Sequence, residues 1–281
     1  MAYIEIFYSI LIFIFGLCVG SFLNCVIYRL KKNKSLKGRS FCPCCEHKLS
    51  WKDLFPIFSF LFLKGKCRYC KTKISVQYPL VEITTSVIFL LIFNFQFLIF
   101  NEFLNVSIFQ FLNLLFLFYI ASVLVVIFVF DLKHYLIPDK VLFPAIIIAF
   151  VYRVLGNWKL PAWPVGREIG NLTFVLNYFY AILAGAGFFF LLWLISKGKW
   201  MGFGDVKLAV LLGLILGFPN ILAALFSAFF IGSVVSIFLM AKKIKGMKSE
   251  VPFAPFLIAG TFIAMFWGDK IINWYLGLIL F

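Results

Sequence analysis

Apolar residues in this chain fill whole runs instead of recurring at one face. Nearly continuous Phe, Leu, Ile and Val occupy about residues 4–27, 79–100, 108–130, 141–155, 174–195, 208–218, 221–241 and 251 to the end. A bilayer core about 30 Å thick is crossed by a helix of about 20 apolar residues. The runs therefore predict an all-α polytopic membrane protein with about eight transmembrane helices. The run at 208–218 is short, and a break near Gly268-Asp269-Lys270 would divide the last run and add a ninth segment. The first run is too long and too weakly basic at its start for a cleaved signal peptide, so it reads as a retained span. Residues 29–77 interrupt the pattern with Lys, Cys, Gly and Pro. Within them "LFPIFSFLFL" is apolar but too short to cross, and should lie at the interface or pack against the bundle. Three parts follow: a first span (1–28), an insertion (29–77) and a membrane core (78–281). No internal repeat or low-complexity linker is present.

Composition agrees with this reading. The chain is 64% hydrophobic and 13% charged, where a soluble domain is about half apolar and a quarter charged. The net charge of +15 is not spread evenly. Thirteen of the 26 Lys and Arg lie between Arg29 and Lys73. Further clusters are Lys133/Lys140, Lys197/Lys199/Lys207 and Lys242/Lys243/Lys245/Lys248. These fall in alternate connections, the positive-inside pattern. It puts the insertion and the connections after 108–130 and before 208–218 at the cytoplasmic face, with the amino terminus outside. The stretch from Gly156 to about Leu172 becomes a polar outer loop. The partner of the positive charge is the lipid bilayer with its anionic inner leaflet. Nucleic acid would need a basic face with stacking aromatics on a soluble module, and is excluded on that ground.

The insertion reads "FCPCCEHKLSWKDLFPIFSFLFLKGKCRYCKTK". Cys42 and Cys45 form one C-x-x-C, and Cys67 and Cys70 form a second. Two such knuckles offer four thiolates at the corners of a tetrahedron, which suits a structural Zn²⁺. Gly65 permits the tight turn before the second knuckle. Disulfides are the competing reading, disfavoured in a reducing compartment. Cys44 could replace Cys45, and His47 is a weaker competitor that reads as solvated. Four ligands leave no open position, so such a metal folds the insertion without doing chemistry. Cys18 and Cys25 read as packing residues of the first span.

The chain has only eleven acids. Those near spans are Glu82, Asp131, Asp139, Asp205 and Asp269, and an acid in a membrane segment is costly enough to suggest function. Asp131 ends the third run, and Asp205 precedes 208–218 in "GFGD". Charge alternation brings both to the inner face. Gly202 and Gly204 let a backbone or extended substrate approach Asp205 closely. Two close carboxylates share a proton, so that one remains an acid while the other activates water. Each residue also has a plainer reading. Asp131 could cap a helix at the membrane edge. Asp139, after Ile137-Pro138, is placed to start the next helix. Glu82 could cap the second span or sit in a polar pocket. Asp269 pairs with Lys270 at the outer interface, and His134 reads as a solvated loop residue. Two other functions fit part of this pattern: a proton- or cation-coupled transporter with acids beside glycine-broken helices, and a membrane scaffold built on a zinc ribbon.

Taken together, "GSFLNCVIYRL", "CPCC…CRYC…YPLVE", "DLKHYLIPD" and "GFGD" followed by "VK" resemble the bacterial prepilin peptidases, the type IV leader peptidases. The resemblance runs from the first span to about residue 260. It implies a GxGD-type membrane aspartic peptidase with Asp131 and Asp205 as catalytic acids. It implies prepilins and pseudopilins as substrates, cut at the cytoplasmic face of the bacterial inner membrane. Many members also N-methylate the new amino terminus using S-adenosylmethionine, and the zinc-bearing insertion resembles that of such bifunctional members. Gly202, Gly204, Glu82 and Asp139 are left as candidates for a supporting role.

Overall fold

The computed structural model describes residues 2–100, 108–156, 171–242 and 251–279. Among these residues the chain is helical: α1 (Ala2–Lys31), α2 (Phe58–Phe62), α3 (Gln77–Phe100), α4 (Ile108–His134), α5 (Asp139–Gly156), α6 (Asn171–Ser196), α7 (Phe203–Leu216), α8 (Asn220–Ala241) and α9 (Ala254–Ile279). Extended pairing among them is limited to two isolated bridges, Phe41 with Lys48 and Lys66 with Lys73. Nearly all of the expected outer loop after Gly156, and the basic stretch 243–250, lie outside the described residues.

Six helices, α1, α3, α4, α6, α8 and α9, are long and apolar enough to cross a membrane. α5 is shorter and carries Pro144 and Arg153. α7 has 14 residues and reaches about 21 Å at 1.5 Å per residue. Its shortness has a physical reason. Leu208, Ala209, Leu211 and Leu212 are fully buried, as expected of a helix that is apolar all round and lies inside a bundle. The last carbonyls of such a helix lack intrahelical partners. Arg153, itself buried, satisfies two of them: its Nε donates to Leu214 O at 3.0 Å and its Nη2 to Ile215 O at 2.6 Å.

The expected break near Gly268 does not occur, because α9 runs through it without interruption. Asp269 and Lys270 are adjacent on that helix and so face different directions. Asp269 Oδ1 instead accepts a hydrogen bond from Asn220 Nδ2 at 3.4 Å.

The chain divides into two compact units, residues 1–126 and 127–281, with the boundary inside α4. In the first, α1 and α3 pack antiparallel along a seam of small and polar residues. A Cβ on Gly20 would lie 2.7 Å from Glu82 Cα, so only glycine allows this approach. One turn on, Asn24 Nδ2 donates to Tyr78 O at 3.0 Å, and Gln77 Nε2 donates to Asn24 Oδ1 at 3.3 Å. The "GSFLN" stretch is thus a helix-packing surface. Arg29, near the end of α1, is also buried. Its guanidinium donates to the carbonyls of Ser35, Lys37, Gly38 and Arg39 at 2.9–3.1 Å, pinning the entry to the insertion. In the second unit α7 packs on α5 and α6, and α8 packs along α9.

Candidate active site and metal centre

The insertion gathers the sulfurs of Cys42, Cys45, Cys67 and Cys70 within 4.8 Å of one another. Each C-x-x-C closes a turn in which a backbone N–H returns to the first cysteine: Glu46 N–H donates to Cys42 O at 2.9 Å, and Lys71 N–H to Cys67 O at 3.0 Å. Gly65 takes φ +67°, as the turn before the second knuckle requires. The sulfurs of Cys42 and Cys70 are 3.8 Å apart. Tetrahedral Zn–S bonds of about 2.3 Å set ligand sulfurs about 3.8 Å apart, so the four thiols fit a zinc ion. The hydroxyl and amide of Thr72 pull the Cys70 thiol down to about 6, whereas the neighbouring thiols of Cys70 and Cys42 push Cys45 up to about 12. Cys44 is exposed and outside this group. His47 is exposed, as expected, and leans on Tyr69 with ring centroids 3.7 Å apart and planes tilted by 35°. Cys18 is exposed on α1 and Cys25 is half-buried.

One residue of the insertion carries more than its loop position suggests. Asp53 accepts hydrogen bonds from Ser50 N–H (3.0 Å), Ser50 Oγ (2.8 Å), Arg68 Nε (2.6 Å) and Tyr69 OH (3.2 Å). It therefore ties the stretch after the first knuckle to the second knuckle. Burial opposes its charge, but these donors, Arg68 foremost, hold its carboxyl below the ordinary range.

Glu82 is buried on α3. Its Oε2 accepts the Ile57 N–H at 2.8 Å, and it also bonds the Ser21 side chain. Of the two readings of Glu82, the polar pocket is therefore the observed one, and the insertion forms part of it.

Two contacts join the stretches that carry the acids of the second unit. Asp131 is buried and lies within α4, whose last turn continues through His134. It is therefore not a helix cap. The helix stops only at Tyr135, which takes φ 54° and donates its N–H to Asp131 O at 2.9 Å, three residues before Pro138. His134 sits in that last turn with its ring edge-on to Phe130 at 4.8 Å. Asp205 stands in the first turn of α7, whose N-cap is Gly202 in an extended conformation. Asp131 is the charged neighbour whose field acts on Asp205.

Around this pair the two motifs dock. A Cβ on Gly204 would lie 3.2 Å from Ile137 Cδ1, so the "IPD" turn rests on the glycine of "GFGD". Asp139 opens α5, as its sequence position predicts, and accepts from Lys207 Nζ through both oxygens at 2.9 and 3.0 Å. Lys207 also lies over the rings of Phe143 (5.2 Å) and Phe203 (5.7 Å). Sequence reasoning placed Ile137 and Lys207 inside the motifs without giving them roles. A cation two residues after Asp205, with an acid at the start of α5, was the available signal.

Comparisons with known proteins agree across the chain. Residues 14–96 match the Bacterial Peptidase A24 N-terminal domain, and residues 118–237 match the Type IV leader peptidase family. The chain is similar to the prepilin leader peptidase/N-methyltransferase of Bacillus subtilis (strain 168), with 31% identity over 96% of this chain and 98% of that one. The protein of the same name from Aeromonas salmonicida (strain A449) is 29% identical over 97% of this chain and 95% of that one. The one from Vibrio cholerae serotype O1 is 35% identical over 76% and 79%. No solved structure matches. With both halves matched and a relative of 31% identity aligned over nearly its whole length, the chain belongs to the type IV leader peptidase family.

Proposed function

We propose that this protein is an integral-membrane aspartic endopeptidase that removes the leader from type IV prepilins or pseudopilins. The carrying observation is the docking of "DLKHYLIPD", which holds Asp131, on "GFGDVK", which holds Asp205, with Ile137 on Gly204 and Asp139 on Lys207. Two close carboxyls do not both ionise readily, so they share a proton. The ionised member takes a proton from a water molecule as the water oxygen attacks the scissile carbonyl carbon. The protonated member gives its proton to the carbonyl oxygen, forming a gem-diol. The proton taken from water then passes to the amide nitrogen as the C–N bond breaks, and one diol proton returns to the pair, so that acid and amine leave without a covalent intermediate. Gly202 and Gly204 leave room for the extended peptide backbone beside Asp205. Asp139 acts through Lys207 to hold the two motifs in register, and Glu82 supports the insertion.

The relatives' name extends the proposal to N-methylation of the new amino terminus, for which S-adenosylmethionine supplies the methyl group. Zn²⁺ on Cys42, Cys45, Cys67 and Cys70 is structural in this reading. The protein lies in the bacterial inner membrane with its amino terminus outside. The insertion (29–77) and both aspartates sit at the cytoplasmic face, and α5 and α7 complete eight crossings. Residues 78–281 form the peptidase core. The direct test is leader cleavage of a prepilin by purified Asp131→Asn and Asp205→Asn proteins, followed by mass measurement of the product. Both variants should be inactive. Cleavage at the wild-type rate by either one would sink the paired-acid mechanism.

A further inference from the structure

The insertion turns an apolar surface outward. Trp51 is 67% exposed and Phe62 83%, with Phe55, Phe58 and Leu61 exposed between them. Proteins in water rarely leave such a contiguous patch uncovered. Its depth is set by one hydrogen bond. Ile57, at the start of α2, donates its N–H to Glu82, and Glu82 lies inside the membrane-length segment Gln77–Gln96. Glu82 is five residues into α3, about 7.5 Å along its axis. The patch therefore lies beside the second turn of a membrane-crossing helix, at the level of lipid headgroups. Its composition suits that level, where aromatic rings and snorkelling Lys side chains collect.

The charge is complementary as well. Residues 51–73 hold six Lys or Arg and one acid. A cleft of about 430 Å³ is lined by Trp51, Lys52, Phe55, Phe58, Phe62 and Arg68. Arg68 is paired with Asp53, and the Lys52 ammonium sits 5.5 Å from the Trp51 ring at the apolar wall. An aromatic wall beside a cation matches a phospholipid, with acyl chain on the rings and phosphate at the lysine. We propose that the face formed by Trp51–Phe62 is a lipid-docking surface selective for anionic phospholipids of the bilayer that holds α1 and α3.

The test uses the full chain with Phe62→benzoylphenylalanine, reconstituted in phosphatidylethanolamine vesicles containing one-fifth phosphatidylglycerol. Illumination and mass measurement identify what is bonded at position 62. Phospholipid adducts are expected, with phosphatidylglycerol enriched about threefold over its bulk share and the enrichment falling at high salt. Lys52→Gln, combined with Lys64→Gln at the exposed lysine two residues beyond Phe62, should abolish the enrichment while leaving the lipid adducts. Adducts to protein, including an added prepilin, or no lipid adducts at all would overturn the proposal. So would enrichment that is absent from the start, or that survives loss of both lysines. These readouts are independent of Asp131 and Asp205, so their outcome is separable from that of the peptidase reading.

Discussion

Four thiols at 42, 45, 67 and 70 come together through local turns, each pair three residues apart and closed by its own backbone hydrogen bonds. The stretches that carry the acids at 131 and 205 come together through helices, a turn and a glycine that are distant in sequence. The first site uses all its ligand atoms on itself. The second, the proposed active site, takes its holding contacts from neighbours of the two acids, Ile137 and Lys207. A site meant to fold the chain closes, and a site meant to act stays open and is braced from outside.

The contrast predicts separable failures. The largest is metal loss. Cys67→Ser should reduce bound zinc from one per chain to none by elemental mass spectrometry, and should open residues 40–75 to protease. Structural zinc is worth about 10 kcal/mol or more to such a module. Zinc retained at full stoichiometry would mean that the four thiols are not its ligands.

Next is the acid pair. Asp205→Asn should lower prepilin cleavage about 10³-fold while zinc content stays at one per chain. Adding Asp131→Asn should cost nothing further, because residues that act as a unit are not additive. A double variant clearly slower than either single would show two independent acids.

A smaller effect tests the bracing. Lys207→Met should lower kcat about tenfold with little change in KM, since the bound peptide remains but the acids lose register. Lys207→Arg should recover most of the rate by keeping the bond to both oxygens of Asp139. A pure KM effect would instead place Lys207 at the substrate.

The smallest effect concerns acid stability of the insertion. Asp53 is held below its ordinary value of 3.8. Its charge therefore stabilises the folded insertion fully above that value and ceases to do so as pH falls through the lowered one. Asp53→Asn should lower the melting temperature of the insertion at neutral pH and remove this part of the acid dependence. An unchanged acid limb would show that another group sets it.

Hydropathy made the membrane helices readable because lipid imposes one length on every crossing. The same rule misread α7. Its apolar run begins at Leu208, but the helix begins at Phe203 and takes in Gly204 and Asp205, since an acid in the first turn is favoured by the helix dipole. The thiol cluster was readable because its spacing is local. Charge alternation supports the proposed placement of Asp131 and Asp205 on one face. It carries no trace of the braces between their motifs. Asp139 and Lys207 are 68 residues apart, and no periodicity links two side chains across such a distance. Asp53 looked like one loop acid among several, and its four donors come from three residues that only the folded turns bring near. Asp269 was misassigned because adjacency in sequence is not adjacency on a helix.

Arg29 has a consequence for anyone exchanging parts between relatives. One guanidinium spans four carbonyls from Ser35 to Arg39, so the boundary of the insertion as a transferable module is not where the apolar run stops. A chimera joined after Arg29 would separate the donor side chain from the loop shaped to receive it, whereas a junction inside α1 ahead of Arg29 would carry lock and key together.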